Sequence, residues 1–407
     1  MYYPGASGWI EKYLELVEKN QIQLVENSNS TLLDISRDSG LIYGVAIDPI
    51  FISEDLQLNW TPKDKLKNLF LETLVWTHWK HKGFQFEKNQ FISDLTAFFS
   101  SKKPTSSFDF LSIFKKESAI SSIESAIEEC LELDKRILET RIWLNTLNNA
   151  FVFIDVLLFQ EFLQTGKNRP IQDLTEIVLD CFVAAAHSDK ELTEIEEKLF
   201  SFFIASARLD KEIVVELEIK YQQSNYTPNL NQLIPKSNEF KNYLVYFSAF
   251  IIACKTEVSN EEKSYLMSFC DSLGVPNELA EIALAFNTAF LLENSKAIPY
   301  LGTTTEILFS NLSKRWGKIL VRNKDKLILE IQQSKELMVL LAKSTQKDLT
   351  KEEKEVVKNQ LMDIMRSMPS LAIFLIPGGT LLLPIFLKII PGMMPSAFRD
   401  NELTKND

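Results

Sequence analysis

The chain has 407 residues, a formal net charge of −11 and a pI near 5.1. With 45% hydrophobic and 24% charged residues, its composition is that of a folded protein and excludes a disordered one. The length is sufficient for two or three domains. The acidic balance argues against a general nucleic-acid binder, because neutralising phosphates requires clustered positive charge, and no DNA partner is expected.

Residues 1–165 are predicted to form a helical N-terminal domain. Apolar residues recur at the spacing of one helix face over 10–17 and within 66–79, and a long apolar helix is predicted over 142–163. The stretch 41–52 is rich in β-branched residues and is bounded by glycine, which is typical of a strand, but its period leaves the assignment open. The first fifteen residues lack the basic and apolar regions of a secretory signal peptide.

Two histidines in this domain form an H-x-x-H pair, His78 and His81. Residues three apart on a helix share a face, so a metal pair is geometrically allowed. Aromatic and basic neighbours and the lack of a third ligand favour a structural role instead. His187, the third histidine, stands alone at a predicted helix-to-turn junction.

The four cysteines lie in apolar runs without any C-x-x-C spacing, which predicts buried, reduced thiols of a cytosolic protein. No phosphate-binding, dinucleotide-binding, zinc-protease or nucleophile-elbow motif occurs in the sequence. We therefore expect neither an enzyme nor a cofactor, and no small-molecule substrate is identified.

A linker at 165–170 precedes a predicted domain over 166–295 that contains an internal repeat. Residues 186–197 recur loosely at 252–263. Each copy pairs a turn with a capping box, Thr193 with Glu196 and Ser259 with Glu262, and then opens an apolar helix. Two helix-turn-helix units on a shared core are predicted.

The first copy resembles the TerB-like helical domain, whose turn reads A-x-x-D-G-x-[IL]-[ST]-x-x-E. Asp189, Leu192, Thr193 and Glu196 match this turn, whereas Lys190 replaces its glycine. The resemblance implies a link to membrane-associated stress complexes and to divalent metal.

Three acidic residues of the same turn, Asp189, Glu191 and Glu194, are candidate ligands for a divalent cation, since hard cations prefer oxygen. A solvated turn with ordinary helix capping explains the same residues.

The stretch 296–347 is predicted to be a basic helical connector. Six basic residues fall within thirteen positions, against one acidic residue: Lys314, Arg315, Lys318, Arg322, Lys324 and Lys326. Two interpretations stand side by side. The residues form either a patch for lipid headgroups or ribosomal RNA phosphates, or the solvated face of a helix in an acidic protein.

The last predicted domain, 348–407, begins with an amphipathic helix over 348–368 that is opened by Thr350 and Glu353. It continues into the apolar stretch 371–390, LAIFLIPGGTLLLPIFLKII, in which Lys388 is the only charge. A straight helix of this length would be about 30 Å long, the thickness of a bilayer's hydrocarbon core.

Pro377 and Pro384 interrupt the apolar stretch 371–390, because proline lacks an N–H and clashes with the preceding turn. Three interpretations remain for this stretch: a kinked membrane segment spanning 371–390, a helical hairpin buried in a bundle, and a partner-binding surface. If it spans, the positive-inside rule places the N-terminal bulk in the cytoplasm and the protein at the cytoplasmic membrane.

Residues 350–398 resemble the core motif of the LETM family, which includes P-F-x-x-F-x-x-x-P followed by L-L-P-x-x-x-K-x-x-P-x-x-x-P-S-x-F. The matching positions include Pro369, Phe374, Pro377, Pro384, Lys388, Pro391, Pro395 and Phe398. The resemblance implies a membrane-associated segment coupled to ribosome binding and a role in cation or proton homeostasis. Bacterial relatives in this family include biofilm-associated proteins.

Two departures from the family pattern bear on function. Thr380 stands where family members usually carry an acid, which argues against transport, because an exchanging segment needs a carboxylate that binds a cation and titrates. Mitochondrial members continue with a long domain after the motif, whereas this sequence ends at Asp407, so their downstream ribosome-contacting part is expected to be missing.

The sequence thus predicts an all-α, multi-domain protein with a proline-kinked apolar C-terminal segment. The leading hypothesis is a membrane-associated, non-enzymatic protein that contacts membrane lipid and the ribosome. A cation/proton exchanger and a soluble, metal-responsive TerB-like scaffold are the alternatives.

Overall fold

The chain is all-α in the computed structural model, as predicted, and the described residues contain no β-strand. The structure describes residues 2–24, 30–57, 59–101, 119–134, 137, 144, 147–223, 237–255, 258–294, 313, 316–344, 347–367 and 379–393. These residues divide between two compact units, 1–247 and 248–407. The division falls inside the predicted domain 166–295, and the finer boundaries at 165, 295 and 347 stay predictions.

Six α-helices lie in the described part of residues 2–165. They are α1 (Trp9–Glu18), α2 (Leu32–Asp38), α3 (Pro62–His81), α4 (Lys88–Ser101), α5 (Ala119–Leu131) and α6 (Val152–Thr165). Helix α3 is central, because it packs against α2, α5 and α6 and is buried on all sides from Leu69 to Trp79. Its N-terminus is fixed by a capping box between Thr61 and Asp64.

The structure decides one open assignment in this region and corrects one helix boundary. Residues 41–43 form a short 3-10 helix between two glycines, Gly40 and Gly44, with φ of +85° and +67°, and no strand follows over 44–52. Only glycine adopts this backbone conformation without strain, and a Cβ on Gly44 would lie 2.3 Å from the carbonyl oxygen of Asn149. The helix expected over 142–163 begins instead at Val152, because the Asn149 side chain accepts the Phe151 N–H and holds the chain in a turn.

The rest of unit 1 is built on α7 (Ile171–Ala186), α8 (Glu194–Ala207), α9 (Lys211–Gln222) and α10 (Asn238–Ala253), the last of which contains the unit boundary. Their core is a phenylalanine cluster. The ring of Phe203 lies 4.8 Å from that of Phe247, 5.6 Å from that of Phe151 and 5.8 Å from that of Phe182. Aromatic rings at these separations attract one another beyond the area they bury.

Unit 2 continues with α11 (Asn260–Leu273), α12 (Glu278–Glu293), α13 (Lys324–Gln333), α14 (Lys335–Lys343), α15 (Lys351–Ser367) and α16 (Gly379–Met393). Both capping boxes predicted for the repeat are confirmed, since Thr193 caps α8 and Ser259 caps α11. In the second copy Lys255 lies 3.0 Å from Glu262, a carboxylate with no exposed surface. The capping glutamate of this copy is therefore also half of a buried ion pair.

One buried carboxylate in unit 1, that of Glu72 on α3, holds a neighbouring loop. It accepts the N–H groups of Ile50 at 2.7 Å and Ile52 at 2.9 Å and has no exposed surface. Burial raises its pKa from 4.5 to about 7, although these hydrogen bonds act in the opposite direction.

We expect Glu72 to make unit 1 less stable as pH rises. A raised carboxyl pKa means that the folded state holds the proton more tightly than the unfolded state between pH 4.5 and about 7. Stability therefore falls through that window, by roughly 3 kcal/mol in total. Glu72→Gln keeps the site neutral and should remove this dependence, which denaturant unfolding with hydrogen exchange of the Ile50 and Ile52 amides measures.

The matched control is the exposed Glu197→Gln, which should follow the wild-type pH profile. Subtracting the pH profile of the unfolding free energy of one glutamine variant from that of the other cancels the contributions of the remaining carboxylates. A difference between Glu72→Gln and wild type that stays constant from pH 4.5 to 8 would contradict the assignment.

Candidate functional site: the C-terminal helices

The C-terminal helices of unit 2 present a charged outer surface over an apolar inner one. In α13, Leu327 and Ile331 are buried, and in α14 Leu337 and Leu341 are buried. Ser334 separates the two helices, since its backbone is extended and its side chain accepts the Leu337 N–H at 3.2 Å. The apolar residues recur at helical spacing, so the intervening charged side chains lie on the outer face.

Four of the predicted basic residues lie in the described part of the chain, two on α13 and two in the helical segment 316–322 that precedes it. Lys318, Lys324 and Lys326 are exposed and form no ion pair with a described residue. Arg322 is also exposed, but both its terminal nitrogens contact the carboxylate of Glu281 on α12, one of them at 2.9 Å. The charge of Arg322 is thereby balanced. The three lysines remain as the unpaired positive charges among the described members of the predicted basic run. Lys314 and Arg315 lie outside the described residues.

The predicted capping box of α15 is confirmed and connects two helices. Thr350 donates its N–H to Glu353 at 2.9 Å, and Glu353 donates its N–H to the Thr350 hydroxyl. The Glu353 carboxylate also pairs with Lys343 at the end of α14, and this contact lowers the pKa of Glu353. Farther along α15, Gln360 accepts a hydrogen bond from Ser334 at 2.6 Å. These polar contacts fix α15 against α14.

The apolar face of α16 is covered by protein. Ile385, Phe386 and Ile390 are at most 1% exposed, and the helix packs against α14 and α15. The Phe386 ring stacks on Trp316 with centroids 6.4 Å apart. The predicted apolar stripe of α15 supplies the opposing surface, since Val357, Leu361 and Met365 are buried and Ile364 is half-buried.

For the stretch 371–390, the described part favours the buried-helix interpretation over the membrane-spanning one. Residues 379–393 form one helix, which runs through Pro384 and Pro391 rather than breaking at Pro384. In the described parts of the chain, no helix has both the length and the apolar character needed to cross a bilayer. The expected kink is not confirmed. Residues 371–378 lie outside the described residues.

Only three of the eight family-motif positions lie within the residues that the structure describes. Pro384 is exposed and Pro391 is buried, both within α16, and Lys388 lies in the same helix. The remaining positions lie outside the described residues: Pro369, Phe374, Pro377, Pro395 and Phe398.

The candidate metal ligands of the first repeat have local partners. Asp189 accepts the Glu191 N–H at 3.0 Å, and Glu194 pairs with Lys198 at 2.6 Å. Among the residues that the structure describes, no group of three or more acidic, histidine or cysteine side chains is placed to hold a metal ion. The His187 ring lies 2.8 Å from the Tyr221 carbonyl, with which it hydrogen-bonds. A divalent-cation site at this turn stays a prediction.

The histidine pair of α3 is separated by burial. His78 is buried beside Asp94 at 3.1 Å, whereas His81 is exposed. Burial lowers the pKa of His78, although the neighbouring Asp94 acts in the opposite direction. The pair shares no site, which supports the structural role.

The C-terminal segment of the chain matches a known protein family. Residues 349–407 match the family model described as LETM1-like, RBD, the ribosome-binding domain. This match supports the resemblance to the LETM family and covers α15 and α16. The matched residues contain the proline-spaced motif itself, and the expectation about the downstream part of mitochondrial members stays a prediction. No curated protein and no solved structure matches the chain. The TerB-like resemblance stays a prediction.

We expect Phe386→Ala to destabilise the C-terminal helices. Removing a buried aromatic ring costs about 3–5 kcal/mol, from lost burial and from the cavity left behind. Hydrogen exchange of α14, α15 and α16 should rise together, since Phe386 and its neighbours join them. The control is Val339→Ala on α14, whose side chain is 54% exposed and should change stability by less than about 0.5 kcal/mol. Equal effects of both variants would argue that α16 is not packed as described.

Proposed function

We propose that this protein acts by binding rather than catalysis, and that residues 316–393 of unit 2 bind the ribosome. The observation that carries the proposal is the match of residues 349–407 to the LETM1-like ribosome-binding domain. Helices α15 and α16 supply the packed body of that domain. The basic residues around the start of that domain supply the contact with the ribosome.

Positive charge is concentrated where the domain begins. Residues 314–358 contain twelve lysines and arginines against seven acidic residues, whereas the whole chain has a net charge of −11. The exposed lysines of this stretch include Lys318, Lys324, Lys326, Lys335, Lys347 and Lys351. Lysines contact nucleic-acid phosphates through charge alone, and binding of this kind weakens as salt rises.

Ribosomal RNA is a favourable target for such a surface. Its phosphates are dense and exposed, and each contacting lysine releases about one condensed counterion. The acidic remainder of the chain is repelled by the same phosphates, so the protein would bind in one orientation, with α13 and α14 facing the ribosome.

Charge reversal on α13 tests the proposal. The double variant Lys324→Glu with Lys326→Glu should weaken co-sedimentation with purified ribosomes and reduce the slope of log K against log salt by about 2. The control is Lys167→Glu with Lys211→Glu, two exposed lysines of unit 1, which changes the net charge equally. Equal loss in both double variants, or loss in neither, would contradict a contact through α13.

A second candidate is association with a membrane surface, with the biofilm or ion-homeostasis role that the family resemblance implies. Three apolar side chains of the basic stretch 314–358 are more than half exposed: Val321, Leu329 and Val339. A surface that combines lysines with apolar side chains suits anionic lipid, where each lysine contributes about 1 kcal/mol.

Vesicles separate the two candidates. Sedimentation with phosphatidylglycerol vesicles that exceeds sedimentation with ribosomes would favour the membrane, and release of the membrane-bound pool by carbonate would exclude an integral anchor. Binding to ribosomes alone would leave the first candidate.

A further inference from the structure

Unit 1 contains a cavity of about 380 Å³ that the proposed function does not use. It lies beside the C-terminal turns of α6, the segment that follows them, α7 and the start of α10. Ligand pockets commonly occupy about 300–1,000 Å³, so the volume suits a small molecule.

Helix α6 contributes one apolar side chain and several polar ones to the wall of this cavity. Leu157, Gln160, Glu161 and Gln164 line the cavity, and their spacing places them on one helix face. Residues 152–159 are buried, so the change to amides and a carboxylate coincides with the cavity. Neither the Gln160 nor the Gln164 side chain hydrogen-bonds to another described residue, although Gln160 is half-buried. Their carboxamides each offer donors and an acceptor to an occupant.

A charged pair forms part of the same wall. Arg169 contacts Glu161 at 3.2 Å, and both are partly exposed, at 32% and 36%. Gly166 makes this possible, because its left-handed conformation ends α6 and turns the chain back along it. The Thr165 hydroxyl donates to the Glu161 carbonyl at 2.8 Å and fixes the turn.

The remaining wall is apolar apart from Ser237. Leu174 and Phe240 are buried and face the cavity together with Leu157. The cavity therefore has one apolar side, one amide-bearing side and one cation beside one anion.

These features select the ligand by charge. An occupant with a net charge would leave either Arg169 or Glu161 facing a like charge, whereas a dipolar occupant satisfies both. In an α-amino acid the ammonium and carboxylate groups are attached to one carbon, and the guanidinium and carboxylate of the pair are likewise adjacent. We propose that this cavity binds a free α-amino acid with an apolar side chain, held by Arg169 through its carboxylate and by Glu161 through its ammonium group.

The neighbouring groups then take defined roles. Gln160 and Gln164 hydrogen-bond the same two polar groups of the ligand, and Leu157, Leu174 and Phe240 enclose its side chain. Removing the apolar side chain from water supplies the favourable free energy, while the polar groups set orientation.

Calorimetry and thermal unfolding of the full chain test this proposal with free leucine, isoleucine, valine, methionine and phenylalanine at up to 10 mM. At least one should bind and raise the unfolding temperature of unit 1 by about 2 °C or more. N-acetyl-leucine and leucinamide each carry only one of the two charges, and they should bind at least tenfold more weakly than leucine.

Variants assign the binding to the cavity. Arg169→Gln and Gln160→Leu should each weaken binding at least tenfold, while Lys167→Gln, an exposed neighbour that does not line the cavity, should leave it unchanged. Absence of binding by all five amino acids at 10 mM would overturn the proposal, as would binding that survives both cavity variants. Ribosome co-sedimentation of Arg169→Gln should equal wild type, so this result is independent of the proposed function.

Discussion

The arrangement of the C-terminal helices depends on the burial of one apolar helix face. Ile385, Phe386 and Ile390 on α16 lie against α14 and α15, and α13, which carries Lys324 and Lys326, packs in turn against the same two helices. Burying three large apolar side chains contributes about 1.5–3 kcal/mol each. The Glu353–Lys343 ion pair and the Ser334–Gln360 hydrogen bond, both only partly buried, add geometric specificity to this packing.

The two units use the same local device in different surroundings. Thr193 and Ser259 each cap a helix with a glutamate three residues later, and both glutamates are buried. In the second copy Lys255 balances the charge of Glu262, a role that the first copy cannot reproduce, because Asp189 occupies the corresponding position. The repeat therefore preserves backbone geometry while the charge beside it has changed sign.

Local signals predicted the helices well, because capping and apolar periodicity act over a few residues. The boxes at Thr193, Ser259 and Thr350 were confirmed, as was the buried stripe of α15. Features that depend on distant partners were not predicted. The start of α6 is set by Asn149, whose amide also donates to the Ser206 carbonyl 57 residues away. The 371–390 stretch satisfied the hydropathy of a membrane span, and composition alone does not reveal that α14 and α15 cover the described part of it.

The two prolines within α16 have an energetic consequence. Pro384 and Pro391 have no N–H to donate, so the helix lacks two rungs of its hydrogen-bond ladder, and each interior proline disfavours an isolated helix by about 3 kcal/mol. A fifteen-residue segment with such a handicap would not stay helical alone in water. Its helical conformation therefore depends on packing against α14 and α15. Loss of the contact with either helix should unfold α16. The segment thereby reports on the integrity of the domain that holds it.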